Sequence, residues 1–240
     1  MRIIYRVASL AFLIWGSATV MCAAPLASGE NRNGAVVAGM SESWTFSVDV
    51  NQTIHLRVGE VSGGNGFTPR LQLYGPNNVV ITSDYDSVDA RIIHRATVAG
   101  TYTAVVSGYY ANDAGSYRLR LLLTPSSFVV PAGDDGGRLT NGQNHSGVIE
   151  VGDIDAWTYE SGVNETLHFR IGKISGGSGF SPLIYLYDPN GAQVTYDYDT
   201  VDSRIIHRAT LAGVYTLVVV GHGCLIKDGS NFRIPQHTRE

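Results

Sequence analysis

Two short acidic stretches carry the residue types best suited to holding a metal ion. Asp84, Asp86 and Asp89 recur as Asp197, Asp199 and Asp202, each set in the spacing D-x-D-x-x-D. Hard cations such as Ca2+ take about six to eight oxygen ligands from carboxylates and carbonyls gathered on a flexible loop, and three aspartates supply part of such a shell. The spacing lacks the mid-loop Gly and the terminal Glu of an EF-hand, so each stretch also reads as a solvated loop whose Asp side chains close Asx turns. Asp153 and Asp155 add carboxylates near the second stretch only, because Met40 and Glu42 stand at the corresponding places of the first.

Aromatic residues offer a second chemistry. Tyr85 and Tyr198 stand inside the acidic stretches, and Tyr109 and Tyr110 fall in a connecting loop. Exposed phenol rings there would stack on sugars or pack on an extended polypeptide. Histidine is a weaker candidate. His94 and His207 sit in the repeated string RIIHRAT with no Cys, Glu or second His at ligand spacing, which favours a hydrogen-bonded structural role. His55 with Arg57, and His168 with Arg170, alternate with apolar residues and are expected on a solvent-facing side. Nucleophilic catalysis finds no support: neither a GxSxG elbow nor a GKS or GKT phosphate loop occurs, and no helix signal follows the Gly-rich strings SGGNG and SGGSG. The expectation is a protein that is not an enzyme.

What must position these residues is a duplicated unit. Trp44 is matched by Trp157, and the same 113-residue offset carries Gly59 to Gly172, Phe67 to Phe180, Tyr74 to Tyr187 and His94 to His207 without a gap. About half of the aligned positions are identical, which means a duplicated domain rather than a short solenoid repeat. Within each copy the apolar period is two. Trp44, Phe46 and Val48 alternate with polar residues, as do Ile54, Leu56 and Val58, then Leu71 and Leu73. Tyr117, Leu119, Leu121 and Leu123 close the first copy, with Arg118 and Arg120 expected to face water. Gly, Asn and Pro in VNQT, SGGNGF and YGPNN supply the reversals between strands. The fold class is therefore all-β: two tandem antiparallel β-sandwich, jelly-roll-like domains. The expected limits are a signal peptide over 1–24, a first sandwich over 25–124, a linker over 125–137 and a second sandwich over 138–240 with a shortened last strand. Only Phe232 and Ile234 answer the first copy's closing strand before Pro235, which has no amide hydrogen to donate.

Arg2 and Arg6 precede an apolar run from Val7 to Met21 and the small residues Cys22, Ala23 and Ala24, the plan of a secretory signal. Export follows, to the medium, the periplasm or the cell envelope, with no transmembrane segment in the mature chain and only Cys224 left after cleavage. A net charge of -4 without a basic stripe makes nucleic acid a poor partner.

Each copy resembles the bacterial pre-peptidase C-terminal domain, a β-sandwich module appended to secreted proteases. The resemblance rests on GDIDAWTY at 152–159, FSPLIYLYDPNG at 180–191, DYDTVDSRI at 197–205 and AGVYTLVVV at 212–220. The first copy repeats them as GMSESWTF, FTPRLQLYGPNN, DYDSVDARI and AGTYTAVVS. The resemblance implies a non-catalytic module, in a family some of whose members bind Ca2+, with Asp84, Asp86, Asp89, Asp197, Asp199 and Asp202 as the metal candidates here. Tyr85, Tyr109, Tyr110 and Tyr198 are the ligand candidates. No protease domain precedes either copy. The function expected is binding or adhesion to an extracellular or envelope protein or polysaccharide. The alternatives are an accessory region of a secreted peptidase and a structural spacer without a ligand.

Overall fold

The computed structural model describes residues 23–63, 66–176, 179–222 and 230–234. The segment before residue 23, where a signal peptide is expected, and Cys224 lie outside the described residues. Two sets of strands follow one another along the chain. The first comprises β1 (Ala24–Pro25), β2 (Asn31–Val36), β3 (Ser41–Val48), β4 (Thr53–Ser62), β5 (Pro69–Tyr74), β6 (Val80–Tyr85), β7 (Asp89–Arg95), β8 (Gly100–Gly108) and β9 (Gly115–Thr124). The second comprises β10 (Gly136–Arg138), β11 (His145–Ile149), β12 (Asp155–Ser161), β13 (Thr166–Lys173), β14 (Ser181–Tyr187), β15 (Gln193–Tyr198), β16 (Asp202–Arg208), β17 (Gly213–His222) and β18 (Ser230–Ile234).

Each set builds a five-stranded and a four-stranded sheet. The first set orders them β1-β3-β8-β5-β6 and β2-β9-β4-β7, and the second repeats this as β10-β12-β17-β14-β15 and β11-β18-β13-β16. All pairings are antiparallel except those of the leading strands: Ala24–Pro25 pair parallel with Trp44–Thr45, and Gly136–Arg138 pair parallel with Ala156–Thr158. The period of two explains the packing, because alternate side chains leave a strand on opposite faces. Phe46, Ile54, Leu56, Leu71, Leu73, Tyr102, Leu119 and Leu121 fill the first core; Tyr159, Leu167, Phe169, Ile184, Leu186, Tyr215 and Leu217 fill the second. Asn51 and Asn164, at corresponding turns, both adopt the left-handed conformation that Asn tolerates.

The sandwiches differ in two places. Strand β9 pairs with β4 from Thr53↔Thr124 to Ser62↔Ser116, whereas β18 meets β13 only at Gly172↔Arg233 and Lys173↔Phe232. The two tryptophans also sit differently: Trp157 is buried, whereas Trp44 is half-buried and donates its indole N–H to Tyr117 Oη at 2.9 Å. Tyr117 in turn donates to Glu42. Trp157 Nε1 has no partner among the described residues, and the strand register puts Phe232, which carries no hydroxyl, at the place of Tyr117.

Candidate functional site at the junction of the two sandwiches

The outer face of the first four-stranded sheet is covered along β4. Every side chain of β4 from Thr53 to Val58 is buried, because Leu122 of β9 packs into a third apolar cluster with Ile154, Ala156, Leu183, Tyr185, Tyr187, Val218 and Val220 of the second five-stranded sheet. This corrects the expectation that His55, Arg57 and Arg120 point to water: they are 3%, 4% and 3% exposed. His55 lies edge-on to Tyr187, with ring centroids 4.7 Å apart. Arg57 pairs with Asp89 and also donates to the carbonyls of Asp153 at 2.8 Å and Gly221 at 3.2 Å, both on the second sandwich. Arg91 Nη1 reaches Tyr185 Oη at 2.9 Å, and Thr53 Oγ1 donates to the Gly191 carbonyl at 2.7 Å. The backbones themselves touch at Gly59 and Gly152, where a Cβ on Gly59 would sit 2.5 Å from Gly152 N. Buried groups that share their hydrogen bonds across two domains tie those domains together, since separation would leave each group unpaired.

Burial sets the charge states along this seam. Desolvation first, and the Arg91 charge second, hold the His55 imidazole down to about 3, so it is neutral throughout the physiological range. For Asp89 burial raises the carboxyl pKa and outweighs the opposing pull of Arg57.

The acidic stretches are held apart by this framework rather than gathered. Asp84 Oδ2 accepts the Arg91 amide at 2.7 Å, Asp86 Oδ1 accepts the amides of Val88 and Asp89, and Asp89 is taken by Arg57. The second stretch repeats the arrangement: Asp197 accepts from the Arg204 amide, Asp199 from Val201 and Asp202, and Asp202 pairs with Arg170. Turn closure and ion pairing therefore draw the three carboxylates of each stretch to different partners. Among the described residues, the carboxylates that come within 4.8 Å of one another are those of Asp134, Asp153 and Asp155. Arg120 bridges Asp134 and Asp153, and Asn31 Nδ2 donates to Asp134 at 3.1 Å. Asp155 is fully buried, and among the described residues neither of its oxygens has a partner and Asn31 Oδ1 is likewise unpaired. Burial first, and then the like charge of Asp153, push the Asp155 carboxyl well above the ordinary carboxylate range.

Of the candidate tyrosines, Tyr85 reaches the same seam. A cleft of about 290 Å³ is lined by Arg57, Asp84, Tyr85, Asp86, Asp89 and Arg91 of the first sandwich and by Gly221 and His222 of the second. Tyr85 stacks on Tyr109 at 3.7 Å, and Tyr110 meets Tyr109 edge-on at 4.9 Å. In the second sandwich Tyr198 stacks on His222 at 5.0 Å, at positions corresponding to Tyr85 and Tyr109. Tyr85 and Tyr198 remain 52% and 56% exposed, although aromatic rings ordinarily seek burial. His94 and His207, by contrast, lie on β7 and β16 away from this cleft, with burial lowering both pKa values. A larger groove of about 580 Å³, between the 125–130 segment and β17, holds a single charged residue, Arg138.

The junction was legible in a signal the duplication itself carries. Leu183, Tyr185, Val220, Ile154 and Ala156 correspond to Arg70, Gln72, Ser107, Ser41 and Ser43 of the first copy. An apolar residue on the outward position of one copy only marks a face that this copy alone must cover.

No family model matches the chain, and no curated protein matches it. Among solved structures it is similar to the pre-peptidase C-terminal domain of a collagenase from Bacillus anthracis, with 18% identity over 41% of this chain and 93% of that one and a TM-score of 0.36. It is also similar to the M60 catalytic domain with the CBM51-1 and CBM51-2 domains of ZmpB from Clostridium perfringens, with 9% identity over 82% of this chain and a TM-score of 0.26. This chain covers 33% of that second protein.

Proposed function

We propose that the chain is an exported, non-catalytic accessory protein whose two sandwiches act as one unit in binding an extracellular or envelope polymer or protein. The observation that carries this reading is the junction cleft: exposed aromatic rings from both sandwiches flank a seam locked by buried ion pairs, so the rings are presented in a fixed relation. Pre-organised aromatic residues supply contact area at little cost in side-chain entropy. Co-sedimentation of the mature chain with purified cell-wall sacculi and with envelope membranes tests it, alongside a casein hydrolysis assay. Binding without hydrolysis is the expected result; a chain that stays in the supernatant of both is a spacer, and one that cleaves casein is an enzyme.

The cofactor proposed is Ca2+, held at Asp134, Asp153 and Asp155 with Asn31 Oδ1, rather than in the acidic stretches. The donor set fits a hard cation because it is all oxygen and because both Asp155 oxygens lack a partner among the described residues. Arg120 already balances part of the charge, which makes the affinity weak. Calorimetric titration at millimolar Ca2+ should show heat that Asp155→Asn abolishes and Asp197→Asn preserves. The reverse pattern returns the metal to the acidic stretches, and no heat at all removes it.

A further inference from the structure

The clamp that joins the sandwiches is present twice in the chain and engaged once. On the first sandwich it is built from the outward residues of β4 and β7. Thr53 donates to the Gly191 carbonyl, Arg57 to those of Asp153 and Gly221, Arg91 to Tyr185 Oη and Arg95 to the Asn190 carbonyl, while Gly59 lets the backbones meet. At the corresponding places of β13 and β16 stand Thr166, Arg170, Arg204, Arg208 and Gly172, each the same residue. His55 and Ile93, which border the same seam, are likewise kept as His168 and Ile206. The core side of these strands is less constant: Ile54, Leu56, Val58 and Ala90 become Leu167, Phe169, Ile171 and Ser203.

Duplication alone does not explain a kept outer face over a changed core, because exposed positions are those where substitution costs least. On the second sandwich these positions are open. The Arg170 side chain is 60% exposed, Arg204, Ile206 and Arg208 are exposed, and a Cβ on Gly172 would meet nothing among the described residues within 4 Å. An exposed ion pair adds little to stability, so the fold gives no reason to keep Arg170 with Asp202. Arg170 is nevertheless set as Arg57 is. Its Nε and Nη2 engage Asp202, as those of Arg57 engage Asp89, and Nη1, the atom that Arg57 directs to the Asp153 carbonyl, stands outside the pair.

A surface that repeats one side of a head-to-tail interface residue for residue fits the other side of that interface. Here the other side is a five-stranded sheet that turns Ile154, Leu183, Tyr185, Val218 and Val220 outward. The first sandwich does not offer such a sheet, since Ser41, Arg70, Gln72 and Ser107 take the places of Ile154, Leu183, Tyr185 and Val220. In a second copy of this chain the sheet is already covered by its own first sandwich. We infer that the outer face of β13 and β16 is a docking surface for a partner protein carrying a β-sandwich of the second copy's kind, with an apolar five-stranded face. Register sets Ile234 at the place of Leu119, so the described part of β18 stops short of the places of Arg120 and Leu122. The contact is therefore narrower and weaker than the junction within the chain. None of its residues lines the junction cleft, so the partner is independent of the ligand proposed there.

Phenylglyoxal modification mapped by mass spectrometry reads this face on the full chain, and on the full chain extended after Glu240 by a second copy of residues 125–234 or of residues 25–124. In the unextended chain Arg170 and Arg204 should react and Arg57 should not. With 125–234 added, both should react about tenfold more slowly, since a tethered sandwich meets the face at roughly millimolar effective concentration. With 25–124 added, whose five-stranded face is polar, they should react as in the unextended chain. Gly172→Glu and Ile206→Asp should each restore reactivity in the 125–234 extension and leave the melting temperature of the unextended chain unchanged, because both positions are open. Arg170 reacting at the unextended rate beside the added 125–234 overturns the inference whether or not the added stretch folds. That stretch is the one that docks on β4 and β7, and the second face would then have failed to take it. Equal protection by 25–124, or protection that both substitutions leave intact, overturns it as well.

Discussion

Strands β4 and β13 carry nearly the same residues, TIHLRVG and TLHFRIG, and meet opposite fates. In β4 the His and Arg are sealed against the second sandwich, with Arg57 tied to Asp89 and to two carbonyls across the seam. In β13, His168 is half-exposed and the Arg170–Asp202 pair lies in solvent. The same side chains are thus a structural clamp in one copy and surface decoration in the other. A residue's local sequence fixes which side of a strand it leaves from, and the neighbour that arrives on that side decides its energy.

The sharpest break in this comparison is Arg57→Ala against Arg170→Ala. Removing Arg57 strands a buried carboxylate and two carbonyls and should cost about 3–5 kcal/mol. Removing Arg170 should leave the denaturant midpoint where it is, because solvent and salt screen an exposed pair. Equal losses in urea titrations of the two variants would mean that the junction does not hold in solution.

Gly59 and Gly172 offer a second contrast. A Cβ at Gly59 would press into the Gly152 backbone, whereas one at Gly172 meets nothing among the described residues within 4 Å. Gly59→Ala should cost about 1–3 kcal/mol, as overpacking against a rigid neighbour does. Gly172→Ala should unfold at the parent midpoint, and a matching loss there would discredit the close approach.

A pH series isolates His55. Its folded pKa of about 3 lies below the unfolded value of 6.5, so between those limits the unfolded chain binds the extra proton. Stability should therefore fall as pH drops from 6.5 towards 3, by up to about 1.4 kcal/mol per pH unit from this group. His55→Gln should flatten that part of the profile, and His168→Gln should leave it in place. A slope that survives in His55→Gln would assign the acid sensitivity elsewhere.

The smallest expected effect separates the two tryptophans. Tyr117→Phe removes the hydroxyl that accepts from Trp44 and donates to Glu42, and should cost about 1 kcal/mol. Trp157→Phe removes an N–H that lacks a partner among the described residues, and should change indole fluorescence more than stability. If both variants lose the same amount, the hydrogen-bond relay of the first copy carries no energy of its own.

The amino-acid sequence by itself determined that this is an all-β protein, which residues face each sandwich core, and where the turns fall. These follow from alternation and from Gly, Asn and Pro at the reversals, all of which act within a few residues. It also pointed to Tyr85, Tyr109, Tyr110 and Tyr198, whose exposure the structure then displays at the mouth of the junction and on its flanks. The apolar outward residues of the second copy mark a face that must be covered, but only the tertiary structure decided that the outer side of β4 and β9 covers it. His55, Arg57 and Arg120 read as solvent-facing because a polar residue on the outer side of a strand looks the same whether water or another domain lies beyond it. Likewise Asp134 joins Asp153 and Asp155 although about 20 residues of chain and two strands, β10 and β11, separate them. That proximity comes from the parallel pairing of β10 with β12, which sets Gly136 opposite Ala156, and no short-range pattern encodes it.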